Sequence, residues 1–103
     1  MSMSATHMKR YRTVLLQLLN ANHRAQHARM DHVMLAMAMR GVGCGVGEND
    51  VLTLLQDLCD RSFVRYNEKK NRLTHDTEIS QIEITAAGRD ILEGTRTDGA
   101  VEL

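Results

Sequence analysis

The sequence predicts one small α+β domain, built mainly from helices with a single β-hairpin. Three stretches before residue 62 repeat apolar side chains every three or four positions, the period of a helix buried on one face. The pattern then changes to alternation, which is typical of strands, and returns to a helical period near the end. The predicted order is helix-helix-helix-strand-strand-helix, because two strands alone cannot form a stable sheet and must pack on the helices.

The domain limits follow from composition. The chain has 103 residues, enough for one compact domain, and no internal repeat or linker divides it. We expect a flexible N-terminus over 1–6, a folded domain over 7–94 and a flexible tail over 95–103. Hydrophobic residues make up 43% of the chain and charged ones 25%, which is typical of a folded protein rather than a disordered one.

The first helix is predicted from Thr6, as a possible N-cap, to about Asn22. Its apolar stripe consists of Tyr11, Val14, Leu15, Leu18 and Leu19. The second helix is predicted over 29–41, ended by Gly41 in a left-handed conformation. Its main stripe consists of Met30, Val33, Met34, Met37 and Ala38, widened by Leu35 and Met39. A helix that is apolar over so much of its surface is expected to be mostly buried.

Glycines at 41, 43, 45 and 47 follow the second helix. A phosphate-binding loop would need GxGxxG directly after a strand, or Gly-Lys-Ser/Thr, and neither is present. Glu48 and Asp50 at the start of the next helix would also repel an anion. The segment is therefore interpreted as a flexible turn between two helices.

The third helix is predicted over 49–61, with Asn49 or Asp50 as its N-cap. Its apolar face consists of Val51, Leu54, Leu55 and Leu58. Short alternating segments at 63–66 and 79–84 predict the two strands, separated by a long charged tip over 67–78. A fourth helix follows, capped by Thr85.

The segments "LCDRSFV" (58–64) and "ITAAGRDIL" (84–92) resemble the end of the recognition helix and the end of the wing in bacterial winged-helix regulators. Ser62 stands where those proteins usually have glycine. The region 11–94 is also similar, more weakly, to short winged-helix proteins of Mu-like transposable phages, which share an "R-x-x-x-L-x-x-L" opening and a "GRDILEG"-like ending. The resemblance implies a winged helix-turn-helix and a transcriptional regulator that binds double-stranded DNA.

On that interpretation the third helix reads base edges and nearby cations hold phosphates. The candidate DNA-binding residues are Asn49, Thr53 and Gln56 on the third helix, Arg65, Lys69, Lys70 and Arg72 on the hairpin, and Lys9, Arg10 and Arg12 on the first helix. Charge is distributed unevenly, with +5 over residues 1–40 and −5 over 41–103.

The alternative is a winged-helix module that binds protein instead of DNA. It is favoured by the acids of the third helix, which would repel phosphates: Glu48, Asp50, Asp57 and Asp60. Homodimerisation, in either case, is expected through the terminal helices.

Other kinds of site are not favoured. His23, His27 and Asp31 would share a face only if one helix continued past Asn22, so no metal site is predicted. Cys59 is expected to be buried and Cys44 to be the more exposed thiol, and no catalytic arrangement accompanies either. We therefore expect no enzyme activity and no cofactor. Two cysteines and no long apolar run favour a cytoplasmic protein without a membrane span.

Overall fold

The computed structural model describes residues 5–25, 30–94 and 101, with side chains from His7 onward. Four helices and one antiparallel hairpin follow each other in the predicted order, which confirms the α+β class. The elements are α1 (Ala5–Arg24), α2 (His32–Gly41), α3 (Glu48–Asp60), β1 (Val64–Lys70), β2 (Thr77–Ile84) and α4 (Ala86–Glu93). One core, mostly of leucine, isoleucine and valine, joins all six elements.

α1 is longer than predicted at both ends. It begins at Ala5, so Thr6 lies within the helix instead of capping it, and part of the predicted flexible N-terminus is helical. Leu15 and Leu19 of the predicted stripe are fully buried, and Leu16, which was not predicted, is buried with them. Tyr11, Val14 and Leu18 are only partly buried, so the buried face is rotated from the predicted stripe.

α2 buries a different face from the predicted one. Asp31 is its N-cap and accepts a hydrogen bond from the backbone N–H of Met34 at 2.8 Å. The buried residues are His32, Leu35, Ala36 and Met39. The predicted main stripe points outward instead, with Val33, Met34 and Met37 exposed. The expectation that α2 would be mostly buried was therefore wrong.

The turn between α2 and α3 is anchored to the core. Gly43, rather than Gly41, has the left-handed conformation (φ 93°), and the Cys44 N–H donates to Met39 O at 2.9 Å. Cys44 and Val46 are buried between the exposed glycines. Small and apolar residues thus alternate because every second side chain enters the core.

α3 begins one residue earlier than predicted. Gly47 is its N-cap, and the Asp50 carboxylate accepts from the Gly47 N–H at 3.0 Å, so neither Asn49 nor Asp50 is the cap. The predicted apolar face is confirmed: Val51, Leu54, Leu55 and Leu58 are all fully buried.

The hairpin has longer strands and a shorter tip than predicted, since only residues 71–76 form the connection. A bulge lies between the Arg65–Glu83 and Asn67–Ser80 pairs, where β2 contains one extra residue. Gln81 has a left-handed φ of 53° at this bulge. The bulge changes the alternation, so that Ile79 is buried on the same side as Ile82 and Ile84.

The outer edge of β2 is covered by the chain that leads into α2. The Ile82 N–H donates to Met30 O at 3.0 Å, which places Met30 in an isolated antiparallel bridge. Further along, His32 Nδ1 accepts from the Ile79 N–H at 3.2 Å. These two contacts position the start of α2 against the hairpin.

α4 is joined to the entrance of the hairpin by a set of contacts that we call the clasp. Thr85 is the predicted N-cap, and its hydroxyl accepts from the Gly88 N–H and donates to Ser62 O. The Thr85 N–H also donates to Phe63 O at 3.0 Å. A side chain at Gly88 would collide with the Phe63 carbonyl.

In the predicted flexible tail over 95–103, the structure describes Val101, which packs against the core. The rest of the tail lies outside the described residues.

Candidate nucleic-acid interface

A polar strip runs along the exposed side of α3. Asn49, Thr53 and Gln56 are exposed and spaced by four and three residues, so they lie on one face opposite the buried leucines. The Thr53 hydroxyl donates to Asn49 O at 3.2 Å, which leaves its oxygen able to accept another hydrogen bond. Side chains of these types can donate to and accept from base edges in a DNA groove. We call these three residues the α3 strip.

Two of the four acids on α3 have partners within the fold. Asp50 accepts from the Gly47 N–H. Asp57 accepts from Arg12 Nη2 at 2.9 Å, with 13% of the Arg12 side chain and 35% of the Asp57 side chain exposed. Glu48 and Asp60 are the two acids that remain exposed at the ends of the helix. The Arg12 cation therefore offsets the charge of Asp57, whereas Asp50, Glu48 and Asp60 keep their negative charge near the strip.

The second group of predicted residues lies at the far end of the hairpin. Lys69, Lys70 and Arg72 are exposed and border a cleft of about 420 Å³ together with Asn71 and Glu78. Lys69 is paired with Glu78 in the ladder, which places an acid beside the cations.

The connection after Lys69 and Lys70, which carries Arg72, is ordered by its own hydrogen bonds. Asn71 Oδ1 accepts from the N–H groups of Leu73 and Thr74, while the Asn71 N–H donates to Asp76 O at 2.8 Å. The same connection leaves Leu73 92% exposed. A tip held in this way can present its cations without a large ordering cost on binding.

The hairpin and the start of α3 meet at a cleft of about 360 Å³, which is bounded on a third side by the start of α2. Asn49 from the α3 strip lies on its wall, beside three acids: Glu48, Asp76 and Glu78. The structure thus brings the strip and the hairpin together, but it places negative charge at their junction. That charge opposes the close approach of a phosphate.

The remaining predicted cations lie elsewhere or are paired. Arg65 Nε donates to Glu83 at the base of the hairpin at 3.0 Å, and this hydrogen bond is the main cause of the raised pKa of Arg65. Arg12 is held in its ion pair with Asp57. Lys9 and Arg10 are exposed on α1, and burial raises the pKa of the Cys44 thiol while the nearby Arg10 cation offsets part of that rise. Arg10 therefore lies near the interhelical turn.

Exposed apolar residues lie along α2, the helix that was expected to be mostly buried. The side chains of Val33, Met34, Met37 and Val42 are 37%, 52%, 60% and 58% exposed, all in or directly after α2. The available signal was an excess of apolar residues in α2 beyond what one buried face can hold. We call Val33, Met34 and Met37 the α2 apolar face; Val42 follows the end of the helix, half a turn round from Val33.

The cysteines differ from their predicted environments. Cys44 is buried, and burial is the main cause of its raised pKa, whereas Cys59 is only half-buried. Within the described residues, no three His, Cys, Asp or Glu side chains come together as a metal site. Asp31 caps α2, His23 lies at the end of α1, and His27 is outside the described residues.

No family model, curated protein or solved structure matches the chain. In the part of the chain that the structure describes, none of the helices has the length and hydropathy needed to cross a membrane.

Proposed function

We propose that the chain is a winged-helix domain that binds double-stranded DNA and regulates transcription, with α3 in the major groove and the hairpin beside the backbone. The observation that carries this proposal is the α3 strip, an uncharged hydrogen-bonding surface whose Asn49 borders the hairpin. Lys69, Lys70 and Arg72 are exposed at the far end of the same hairpin. Asn and Gln can pair bidentately with adenine, and Thr can contact a base or a thymine methyl group.

The ion pair with Arg12 removes part of the objection that α3 is too acidic, because it offsets the charge of Asp57 and joins the helix to α1. Asp50 accepts from the neutral Gly47 N–H, which stabilises the start of the helix and leaves the charge of Asp50 in place. The acids at the cleft remain unfavourable for phosphate. Affinity should therefore depend strongly on the hairpin cations Lys69, Lys70 and Arg72.

The test is the salt dependence of binding to labelled duplexes, one of random sequence and one enriched by selection from a random library. Each phosphate contact contributes a slope of about −0.9 in log K against log salt, so three hairpin cations predict a slope of roughly −2 to −3. The triple variant K69A/K70A/R72A should bring that slope close to zero. The variant N49A/T53A/Q56A should retain the slope and lose the preference for the enriched sequence.

A second variant removes the candidate cations of α1. Lys9 and Arg10 are exposed, and K9A/R10A should reduce the slope by less than K69A/K70A/R72A does, which ranks the two groups of cations. The DNA proposal fails if the wild-type chain binds no duplex at about 50 mM salt, where non-specific binding is strong.

The second candidate function is a winged-helix module that binds protein. The α2 apolar face favours it, because exposed apolar patches of this kind mark protein contact surfaces. A chain that binds no duplex at low salt, and whose three hairpin cations can be removed without effect, would support this function.

A further inference from the structure

We propose that Leu73, at the tip of the hairpin, is an apolar wedge that enters the minor groove of duplex DNA, separates two stacked base pairs and bends the duplex. This inference rests on the proposed function, since it concerns the same hairpin and the same partner. It adds contact with a base step to the phosphate contacts of the hairpin cations, and it names the kind of duplex that the domain binds best.

Leu73 lies where the rest of the fold does not reach it. Its side chain is 92% exposed, the largest exposed fraction of any large apolar residue that the structure describes. The buried residue nearest to the tip along the hairpin is Ile79, which pairs with Glu68, and the ladder continues for two more pairs. The tip therefore projects from the core by at least about 7 Å, the rise of two residues in a strand.

Hydrogen bonds hold the backbone of the tip in place although its leucine contributes nothing to the core. Asn71 Oδ1 accepts from the Leu73 N–H at 2.9 Å, and the Asn71 N–H donates to Asp76 O at 2.8 Å across the base of the connection. Within the described residues, Leu73 belongs neither to the core nor to the side chains packed against it. The stability of the monomer thus does not explain a leucine here. Contact with a partner does, and an ordered tip loses little freedom when the partner covers it.

The charges near Leu73 favour a nucleic acid as that partner. Arg72 directly precedes it, and Arg72 and Lys70 border the cleft at the far end of the hairpin. Asp76 lies instead on the wall of the acidic cleft toward α3. A leucine beside cations matches a base step between phosphates, and leucine is one of the side chains that open base steps from the minor groove. An anionic lipid surface has the same charge, but stable binding to it needs more apolar area than one leucine provides.

The narrow tip suits the minor groove. Paired strands lie about 4.8 Å apart, and the minor groove is about 6 Å wide. Insertion of a wedge kinks the duplex toward the major groove, which widens the minor groove around the rest of the tip. TA steps are among those that unstack most easily, so the hairpin should prefer a TA step at a fixed distance from the bases that α3 contacts.

The experiment moves a single TA step along duplexes that carry the enriched sequence. Affinity is measured by titration, and the bend is measured by energy transfer between dyes on the two ends of the duplex. The wild-type chain should bind one position of the step at least ~tenfold more tightly than the others and bend that duplex by roughly 20–90°. Leu73→Ala should remove both the preference and the bend. It should keep the salt slope, because the hairpin cations are retained.

Two control variants show whether the apolar side chain at the tip is responsible. Leu73→Met keeps a long apolar side chain and should retain the bend. Met37→Ala removes an exposed apolar side chain from α2 instead of the tip and should also retain it. Circular dichroism of each variant checks that it is folded.

The outcomes distinguish the failure of this inference from the failure of the proposed function. If the wild-type chain binds duplexes equally at every position of the step, or if Leu73→Ala bends the duplex as the wild-type chain does, the wedge is overturned and DNA binding stands. If the wild-type chain binds no duplex at about 50 mM salt, both are overturned. In that case, binding to vesicles of phosphatidylserine and phosphatidylcholine that Leu73→Ala abolishes would identify a lipid surface as the partner of the tip.

Discussion

α2 and α3 are joined by one anchored turn, but they divide apolar and polar residues between their two faces differently. α3 separates its residues clearly, with leucines and valine in the core and the polar strip in solvent. α2 buries Leu35 and Met39 and also exposes two methionines. The comparison teaches that a helical period identifies the buried face only when the opposite face is polar. When both faces are apolar, the neighbouring elements decide which one is buried.

The largest expected effect tests the buried face of α2. Leu35→Ala should lower the free energy of unfolding by about 2–5 kcal/mol, because it leaves a cavity in the core. Met37→Ala, on the exposed face, should change it by less than about 0.5 kcal/mol. Urea unfolding at a concentration where the chain is monomeric measures both, with Leu54→Ala on α3 as the matched core control. Similar costs for the two α2 variants would show that the faces are assigned incorrectly.

The ends of the two helices differ in the residue that adopts a left-handed conformation. After α2 that residue is Gly43 (φ 93°), and after α3 it is Ser62 (φ 65°). Gly43→Ala should therefore destabilise the fold by about 1–2 kcal/mol, since the space around Gly43 is open and only the backbone conformation opposes a side chain.

Ser62→Gly is the reverse substitution and should stabilise the fold by up to about 1 kcal/mol, reduced by the greater freedom of glycine in the unfolded chain. The Ser62 carbonyl that accepts from Thr85 is retained. Thermal unfolding of both variants gives the comparison. A loss of stability in Ser62→Gly would contradict strain at this position.

The starts of the two helices differ as well. Asp31 caps α2 with its side chain, whereas α3 has Gly47 as N-cap and Asp50 reaching back to it. Asp31→Ala should cost about 1 kcal/mol. Asp50→Ala should cost roughly half as much, because glycine is itself an acceptable N-cap. Urea titrations of both variants test the order, and equal or reversed costs would contradict it.

The ion pair between Arg12 and Asp57 links α3, but not α2, to α1. A double-mutant cycle with Arg12→Met and Asp57→Asn should give a coupling free energy of about 0.5–1 kcal/mol, because both side chains retain some exposure to solvent. Raising the salt concentration should reduce that coupling. A cycle in which the two changes add without coupling would show that the pair contributes nothing to the position of α3.

The last effect is absent at neutral pH and concerns Tyr66, beside the C-terminal end of α3. Burial, with a smaller contribution from Cys59, raises the pKa of Tyr66 from 10.0 to about 12. The unfolded chain therefore loses this proton first, so the free energy of unfolding should fall as pH rises from 10 to 12 and be unaffected below that range. Tyr66→Phe should show a shallower fall in urea unfolding over the same pH range. An equal fall in both proteins would refute this assignment.

Local structure was predicted correctly from the sequence where a single residue type determines it. Thr85 followed by Gly88 predicted the start of α4, and the leucines of α3 predicted its buried face. The bulge at Gln81 could not be predicted, because a spacing of three between Ile79 and Ile82 fits several irregular pairings. The strands are longer than predicted, because the polar residues at 67–70 form ladder pairs with β2 although their side chains do not enter the core.

The exposed polar face of α3 was predictable from the sequence, but the charges around it were not. Asn49, Thr53 and Gln56 share the exposed face that their spacing indicates. Asp50 accepts a hydrogen bond from the Gly47 N–H, and Asp57 accepts one from Arg12, which is 45 residues away in sequence. Helical periodicity does not reveal such partners. The acids at the junction of α3 and the hairpin also come together only through tertiary packing.

The clasp between Ser62–Phe63 and Thr85–Gly88 allows the length of the hairpin to vary without disturbing the helices. The chain enters and leaves the hairpin at points tied by hydrogen bonds, so the residues between them form a closed loop. Doubling the length of a closed loop costs only about 0.6 kcal/mol of entropy. Extra residues inserted next to Leu73 should therefore leave the helices in place. The distance that the hairpin extends from the helices can therefore change with the number of inserted residues, while the helical part of the domain keeps its structure.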